Sequence, residues 1–196
     1  SGAVYSSLFK QLGIIDAPHF EIVLDVGYAF LQQPPMRGNR VCVVTMGGSW
    51  GVMLADALVR RGLRVPEPSG RLQKALRGLD LPVRASTRNP IDVGAAGATL
   101  AQETRVALMA ELIDSGEFDA LLMHGLCMAG FLTEKSPPGH KLFIESNKAL
   151  IRETVAMGRQ KGVPVIPASY ITGQESQIYK ELTEEDIARI ARTYHA

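Results

Sequence analysis

From residue 40 onward, short, solidly apolar runs alternate with longer stretches in which apolar positions recur every three or four residues. The first run, Val41-Cys42-Val43-Val44-Thr45, is mostly β-branched, which predicts a buried strand. Met46-Gly47-Gly48-Ser49-Trp50-Gly51 follows it; Met53, Leu54, Ala57 and Leu58 then share one face of a helix, with Asp56, Arg60 and Arg61 on the other. Residues 63–65 predict a short strand. Ser69 predicts the cap of a helix to about Leu79, with Leu72, Ala75 and Leu76 inward. Residues 87–97 read as a second glycine-bearing turn. Thr99 reads as the cap of a helix to about Ser115 that buries Leu108, Met109 and Leu112. Residues 118–123 predict the central strand, and His124 to Met128 follow it directly. A loop with Pro137-Pro138-Gly139 leads into a long helix over 141–161. Residues 163–166 predict the last strand, a short helix follows Gly173, and Thr183 with Asp186 predicts a capping box for a final helix over 184–193.

Strands separated by helices require crossover connections, and these predict a parallel sheet covered on both faces. The fold class is therefore α/β, a flavodoxin-like doubly wound parallel sheet. Ligands in such sheets bind outside the carboxyl ends of the strands, here residues 45–51, 89–97, 124–128 and 168–173. The chain ahead of the sheet differs. Residues 4–12 and 17–33 predict two helices, the first with Val4, Leu8, Phe9 and Leu12 as its apolar stripe and Gly13 as its stop. Residues 32–39, with Pro34-Pro35, read as a linker. Residues 1–36 are thus expected to be the helical tail of a preceding domain, and 37–196 the α/β domain. An opening without methionine that runs straight into helix is the pattern of a piece excised from something longer.

Composition narrows this picture without naming a ligand. The chain has 196 residues, of which 46% are apolar, enough for a sizeable core. A formal net charge of +1 gives no reason to expect nucleic acid or a membrane surface as partner. Eight basic residues lie between Arg60 and Arg88 against Glu67 and Asp80, which suits an acidic partner domain or a solvated surface alike. Cys42 and Cys127 sit in apolar runs without metal-ligand spacing and read as reduced core residues of a cytoplasmic protein. No catalytic set is visible: Ser-His-Asp order, HExxH, CxxC and Walker patterns are all missing, and no metal site is expected.

The turn at 46–51 carries the most chemistry. A strand, a glycine turn and a helix leave backbone N–H groups at the helix start, where a phosphate, phosphoryl group or carboxylate can be held. A tight turn without a ligand is the equal alternative. Trp50 reads either as a stacking or interface anchor or as a ring folded back on its own domain. His124 could be nucleophile, base or anion ligand, but with no acid near it in sequence a structural or supporting histidine is favoured. Asp92 could orient a substrate; capping the next turn is the safer reading. Asp25 and Glu21 read as a solvated pair on one helix face.

Taken together and in order, GNRVCVVTMGGSWGVMLADAL, NPIDVGAAGAT, FDALLMHGLCMAGF and GVPVIPAS resemble the succinyl-CoA ligase-like flavodoxin domain of NDP-forming acyl-CoA synthetases, in particular the ADP-forming acetyl-CoA synthetase branch. The head, GAVYSSLFKQLGII, resembles the segment that in this family follows a Ser-His-Thr-Gly motif bearing the phosphorylated histidine. The resemblance implies a C-terminal fragment of an enzyme that joins a carboxylic acid to CoA through an acyl phosphate and a phosphohistidine lying outside this chain. It implies that Gly47, Gly48, Ser49, Trp50 and Gly51 hold the phosphohistidine or acyl phosphate, and that Met46, His124, Gly125 and Leu126 meet the substrate. No catalytic residue can be assigned within the chain. Met46 stands where the family commonly has asparagine, and Trp50 intrudes into a loop of small residues; both imply a different or larger acyl group. CoA, ATP/ADP and Mg would serve the intact enzyme, with none bound by this fragment. CoA-binding and ATP-grasp domains or subunits are the implied partners, and a homodimer is a further expected assembly. The same domains also occur fused to lysine acetyltransferases, so a non-catalytic, metabolite-sensing module is the alternative expectation.

Overall fold

A computed structural model describes residues 2–17, 19–125 and 138–168. The chain separates into two compact units, Ser1–Pro35 and Met36–Ala196.

The first unit holds helix α1 (Gly2–Leu12) and helix α2 (Phe20–Gln32). Gly13, at φ +68°, ends α1: its N–H donates to the Lys10 carbonyl, and the Ile14 N–H donates 2.8 Å back to the Phe9 carbonyl. Only a residue without Cβ takes this left-handed stop readily. Gln33 adopts an extended backbone at the end of α2, as the residue before proline must. The expected apolar stripe forms but is uncovered. Val4, Leu8 and Leu12 of α1 are exposed, as are Phe20, Val23, Leu24, Tyr28, Phe30 and Leu31 of α2. Within the unit, two short helices are too little structure to bury them.

The second unit is the sheet domain. Its elements are β1 (Val41–Thr45), α3 (Gly48–Arg60), α4 (Gly70–Arg77), β2 (Ile91–Asp92), a 3₁₀ turn (Ala95–Thr99), α5 (Gln102–Asp114), β3 (Ala120–His124), α6 (Pro138–Lys161) and β4 (Val165–Ala168). The four strands run parallel in the order β2-β1-β3-β4, the arrangement expected of a flavodoxin-like sheet. α3 packs on β1 and β2, while α4, α5 and α6 pack in series, α6 reaching β4. Strand side chains alternate between faces. Cys42 and Val44 of β1 and Leu121 and Met123 of β3 join Leu72, Leu76, Leu108, Met109, Leu112, Leu150 and Val165 in the main core. Thr45 and His124 are one residue out of phase with these and lie on the α3 side. Burial pushes the Cys42 thiol far up, so it stays protonated and unreactive. Cys127 lies outside the described residues.

Several local expectations shift. Leu63–Val65 shrinks to a single bridge between Arg40 and Arg64, and β4 begins two residues later than read. Thr99 does not cap α5. Gly94, at φ +62°, starts the 3₁₀ turn that takes up residues 95–99, and Ala101 becomes the cap. Met53 of α3 is exposed rather than inward, and Gly51 is the only buried residue of that helix. Ser69 caps α4 as expected, its hydroxyl accepting from the Leu72 N–H at 3.2 Å. The short helix after Gly173 and the final helix over 184–193 lie outside the described residues.

Two polar devices seat β1, one at its start and one along its middle. Asp119 accepts the Arg40 backbone N–H at 2.9 Å and takes the Arg40 guanidinium through Nε at 2.9 Å and Nη2 at 2.8 Å. These bonds hold the Asp119 carboxyl below the usual carboxylate range. Asn89, followed by a cis bond to Pro90, inserts its side-chain amide against β1 where no strand lies. Its Oδ1 accepts the Val43 N–H at 2.9 Å, and its Nδ2 donates to the Val41 carbonyl at 2.8 Å and the Pro66 carbonyl at 3.0 Å. The outer edge of β1 is thus satisfied in three pieces. Arg64 serves its start, the Asn89 amide its middle, and β2 its end.

Candidate functional site at the carboxyl ends of β1 and β3

The register of the two central strands builds this site. Thr45 and His124 are direct partners, each the last residue of its strand, so the turn after β1 and the turn after β3 leave the sheet side by side. Thr45, a lone hydroxyl ending an apolar run, lies fully buried at the junction. Its Oγ1 accepts the Gly47 N–H at 3.2 Å and lies 3.2 Å from both the Gly47 carbonyl and His124 Nδ1. The hydroxyl has one proton to donate, so its choice between those two acceptors sets which imidazole nitrogen is protonated.

His124 is only 6% exposed. The Trp50 indole, carried on the first turn of α3, lies against its ring, with centroids 5.1 Å apart and planes tilted by 32°. Trp50 therefore folds back on its own domain and still keeps 39% of its surface exposed. Burial pushes the His124 imidazole below its ordinary value of 6.5, so it is neutral at pH 7. The linkage follows from that direction. With the folded value depressed, the unfolded chain takes up the proton first, so stability attributable to this group is intact above pH 6.5 and declines as pH falls below it. Removing the indole by Trp50→Ala returns water to the ring. The His124 value is expected to move up toward 6.5, read from its Cε1–H signal in an NMR pH titration. An unmoved value would mean that the strands, not Trp50, shield the ring.

Met46 and the glycines complete the mouth. Gly125 turns at φ +75°, with the Met46 side chain so close that a Cβ there would lie 3.3 Å from Met46 Cβ. A Cβ on Gly97 would in turn lie 3.8 Å from Met46 Cγ, so Met46 stands between the two turns. The glycines of the first turn serve close approach rather than unusual dihedrals. Gly47 is extended at φ −159°, a value any residue adopts. A Cβ on Gly48 would lie 3.1 Å from Asp92 Oδ2, and one on Gly51 would lie 2.9 Å from Pro90 Cβ. Gly47 caps α3 without a side-chain acceptor, so the helix start keeps the character of an anion cradle. That cradle already has a carboxylate beside it. Asp92 accepts the Gly94 N–H through Oδ1 at 2.9 Å, the capping role read from sequence, and presents Oδ2 to Gly48.

The structure therefore brings together Met46, Gly47, Trp50, His124 and Gly125, with Gly48 and Gly51 packed against Asp92 and Pro90. Ser49 is exposed on the first turn of α3, and Leu126 lies outside the described residues. Sequence reading missed Thr45 as a site residue; a hydroxyl closing an otherwise apolar strand was the available signal. It also missed that Asp92 reaches the start of α3, which no local pattern encodes. Among the described residues no group of three metal-ligating side chains occurs, and no helix is long and apolar enough to cross a membrane.

No family model matches the chain. It is 30% identical over 186 residues to the alpha subunit of ADP-forming acetate–CoA ligase II of Pyrococcus furiosus, a match covering 95% of this chain and 37% of that one. It is 31% identical over 90 residues to an ADP-forming acetate–CoA ligase of Methanocaldococcus jannaschii, covering 46% of this chain and 13% of that one. Among solved structures, a protein of Pyrococcus horikoshii superposes with a TM-score of 0.65 at 28% identity, over 93% of this chain and 38% of that one. An acetyl-coenzyme A synthetase of Ca. Korarchaeum cryptofilum, solved with phosphate and ADP, shares the fold with a TM-score of 0.65 at 24% identity, over 90% of this chain and 35% of that one. The chain thus spans little more than a third of the Pyrococcus furiosus relative. It resembles one segment of the NDP-forming acyl-CoA synthetases, the family its four motifs pointed to.

Proposed function

We propose that this chain is a fragment of an NDP-forming acyl-CoA synthetase, the acid–thiol ligase class of its relatives, and that the ends of β1 and β3 form its acyl-phosphate half-site. The register that pairs Thr45 with His124 carries this reading, because it sets the start of α3 beside a buried, neutral imidazole. In the reaction proposed, CoA displaces phosphate from an acyl phosphate to give acyl-CoA. In reverse, phosphate displaces CoA, and the acyl phosphate then passes its phosphoryl group to a histidine outside this chain, releasing the free carboxylate. That histidine hands the phosphoryl group to ADP. This chain's share is to bind and orient. Gly47 to Gly51 would receive the phosphoryl group on backbone N–H groups at the helix start. Met46, His124, Gly125 and Leu126 would receive the acyl part, the neutral imidazole offering a hydrogen bond without a competing charge. Met46 and the Trp50 indole make that acyl wall bulky and apolar, which suits an acyl group larger than acetyl.

CoA, ATP/ADP and Mg are assigned to CoA-binding and ATP-grasp domains or subunits, with a small carboxylic acid as substrate and the cytoplasm as location. The uncovered apolar faces of α1 and α2 support residues 1–36 as the tail of a neighbouring domain that covers them.

Asp92 supplies a test. Its carboxylate repels an anion at Gly48, so Asp92→Asn is expected to tighten acetyl phosphate binding to the chain several-fold, by calorimetry. The full ligase carrying Trp50→Ala should shift its acid preference toward shorter chains in an acyl-CoA formation assay. Unchanged acetyl phosphate affinity in the Asp92 variant, together with no acyl-CoA from the full protein with any acid offered, would overturn the reading in favour of a non-catalytic module.

A further inference from the structure

A second polar cluster lies between α5 and α6, on the core side of the sheet rather than the α3 side. Arg105, one turn into α5, is only 4% exposed. Its Nη1 donates to Asn147 Oδ1 at 3.3 Å, and its Nη2 donates to Gln102 Oε1 at 2.8 Å and to the Ser146 hydroxyl. Ser146 donates in turn to Gln102 Oε1 at 2.8 Å. Gln102 Oε1 therefore accepts twice, which fills both its lone pairs and fixes the amide with its oxygen toward the guanidinium.

Two groups are left over. Arg105 Nε–H and the Gln102 Nε2 amide are both shut away from solvent and have no partner among the described residues. Both are donors. All three partners of the guanidinium are neutral, and among the described residues no carboxylate pairs with it. Arginine does not escape by losing its proton, so the cluster holds a full buried charge with spare donors and no counter-charge. Water would satisfy the donors but would leave the charge. An oxyanion supplies both an acceptor and the counter-charge. Gln102 and Ser146 are half-buried, so the cluster lies near the surface rather than deep in the core.

We propose that Gln102, Arg105 and Ser146 form a seat for a small oxyanion, phosphate or carboxylate, distinct from the strand-end site. The oxyanion accepts from Arg105 Nε–H and from the Gln102 amide, and it compensates the guanidinium charge across the α5–α6 seam. Occupancy ties the first turn of α5 to the middle of α6, so the packing of those helices depends on the anion present.

The arginine Nε–H signals of the 196-residue chain, followed by ¹H–¹⁵N NMR, test this. Inorganic phosphate and acetate are titrated separately in a non-coordinating buffer, and the Arg105 signal is identified by its loss in Arg105→Lys. The expected result is a saturable shift of that signal with phosphate, acetate or both, the tighter arm naming the source. Gln102→Ala should weaken it about tenfold, as loss of a hydrogen bond to a charged group does. Arg105→Met should abolish the anion-dependent rise in Tm contributed by this site, while Asp92→Asn leaves the Arg105 signal's titration unchanged and so separates this seat from the cradle at α3. If Arg105→Lys does not fold, the signal that Gln102→Ala displaces serves instead. A stationary Arg105 signal, a shift linear in salt, or equal affinity in Gln102→Ala would each overturn the proposal and leave a water-filled helix clamp.

Discussion

Asn89→Ala is expected to destabilise the sheet domain by about 3–5 kcal/mol, measured as a fall in the urea midpoint with little change in slope. The magnitude comes from what the substitution strands rather than from what it removes. Val43 is fully buried and Val41 nearly so, and the Asn89 amide is the partner of the Val43 N–H and the Val41 carbonyl on that edge. Alanine leaves both groups of a buried strand without that partner, each at a cost of about 1–3 kcal/mol. The Pro66 carbonyl loses a third bond. Asn89→Asp is the informative companion. It keeps the acceptor for Val43 and loses both donations, while placing a carboxylate against two carbonyl oxygens. It should therefore recover little or nothing of the loss. A cost below about 1 kcal/mol for Asn89→Ala would show that the middle of β1 finds other partners.

That device also marks where the sequence stops being legible. β1 and β3 were readable because an apolar run of four residues between polar ends has few other solutions, and the helices because their apolar positions recur with the helical period. Ser69 was readable as a cap because its effect is local. The strand expected at 63–65 was not, since β1 takes its edge partners from Arg64, Asn89 and β2 in turn, and a side chain standing in for a strand leaves no periodic trace. Thr99 failed as a cap for a related reason. A threonine before a helical pattern is a cap only if the chain enters the helix there, and the turn set up at Gly94 delays that entry. At the site, Met46, Trp50, His124 and Gly125 were singled out from sequence and do converge, because parallel register at two strand ends is a consequence of the fold class. Asp92 beside Gly48 depends on a third strand only two residues long, whose register no pattern could give.

Gly51→Ala joins fold and site in one residue, and is expected to cost about 2–3 kcal/mol and to displace the start of α3. A Cβ at this position lies 2.9 Å from Pro90 Cβ and 3.1 Å from Thr45 Cγ2. Neither neighbour yields easily. The proline ring has no rotamer to adopt, and turning Thr45 about χ1 to withdraw Cγ2 would carry Oγ1 away from Gly47 and His124. The helix must therefore move, and the Trp50 ring, one residue away, moves off His124 with it. The His124 Cε1–H titration should then rise toward 6.5, as in Trp50→Ala, although the indole is still present. Gly47→Ala is the control. Its backbone is ordinary, and its Cβ would meet Trp50 Cδ1 at an undemanding 3.6 Å. Its cost should stay near the fraction of a kilocalorie to about 1 kcal/mol that separates glycine from alanine at a helix cap. Equal losses in the two variants would mean that the turn needs glycine for flexibility. A loss confined to Gly51 would mean that it needs glycine because β1, Pro90 and α3 meet there without room for one more carbon.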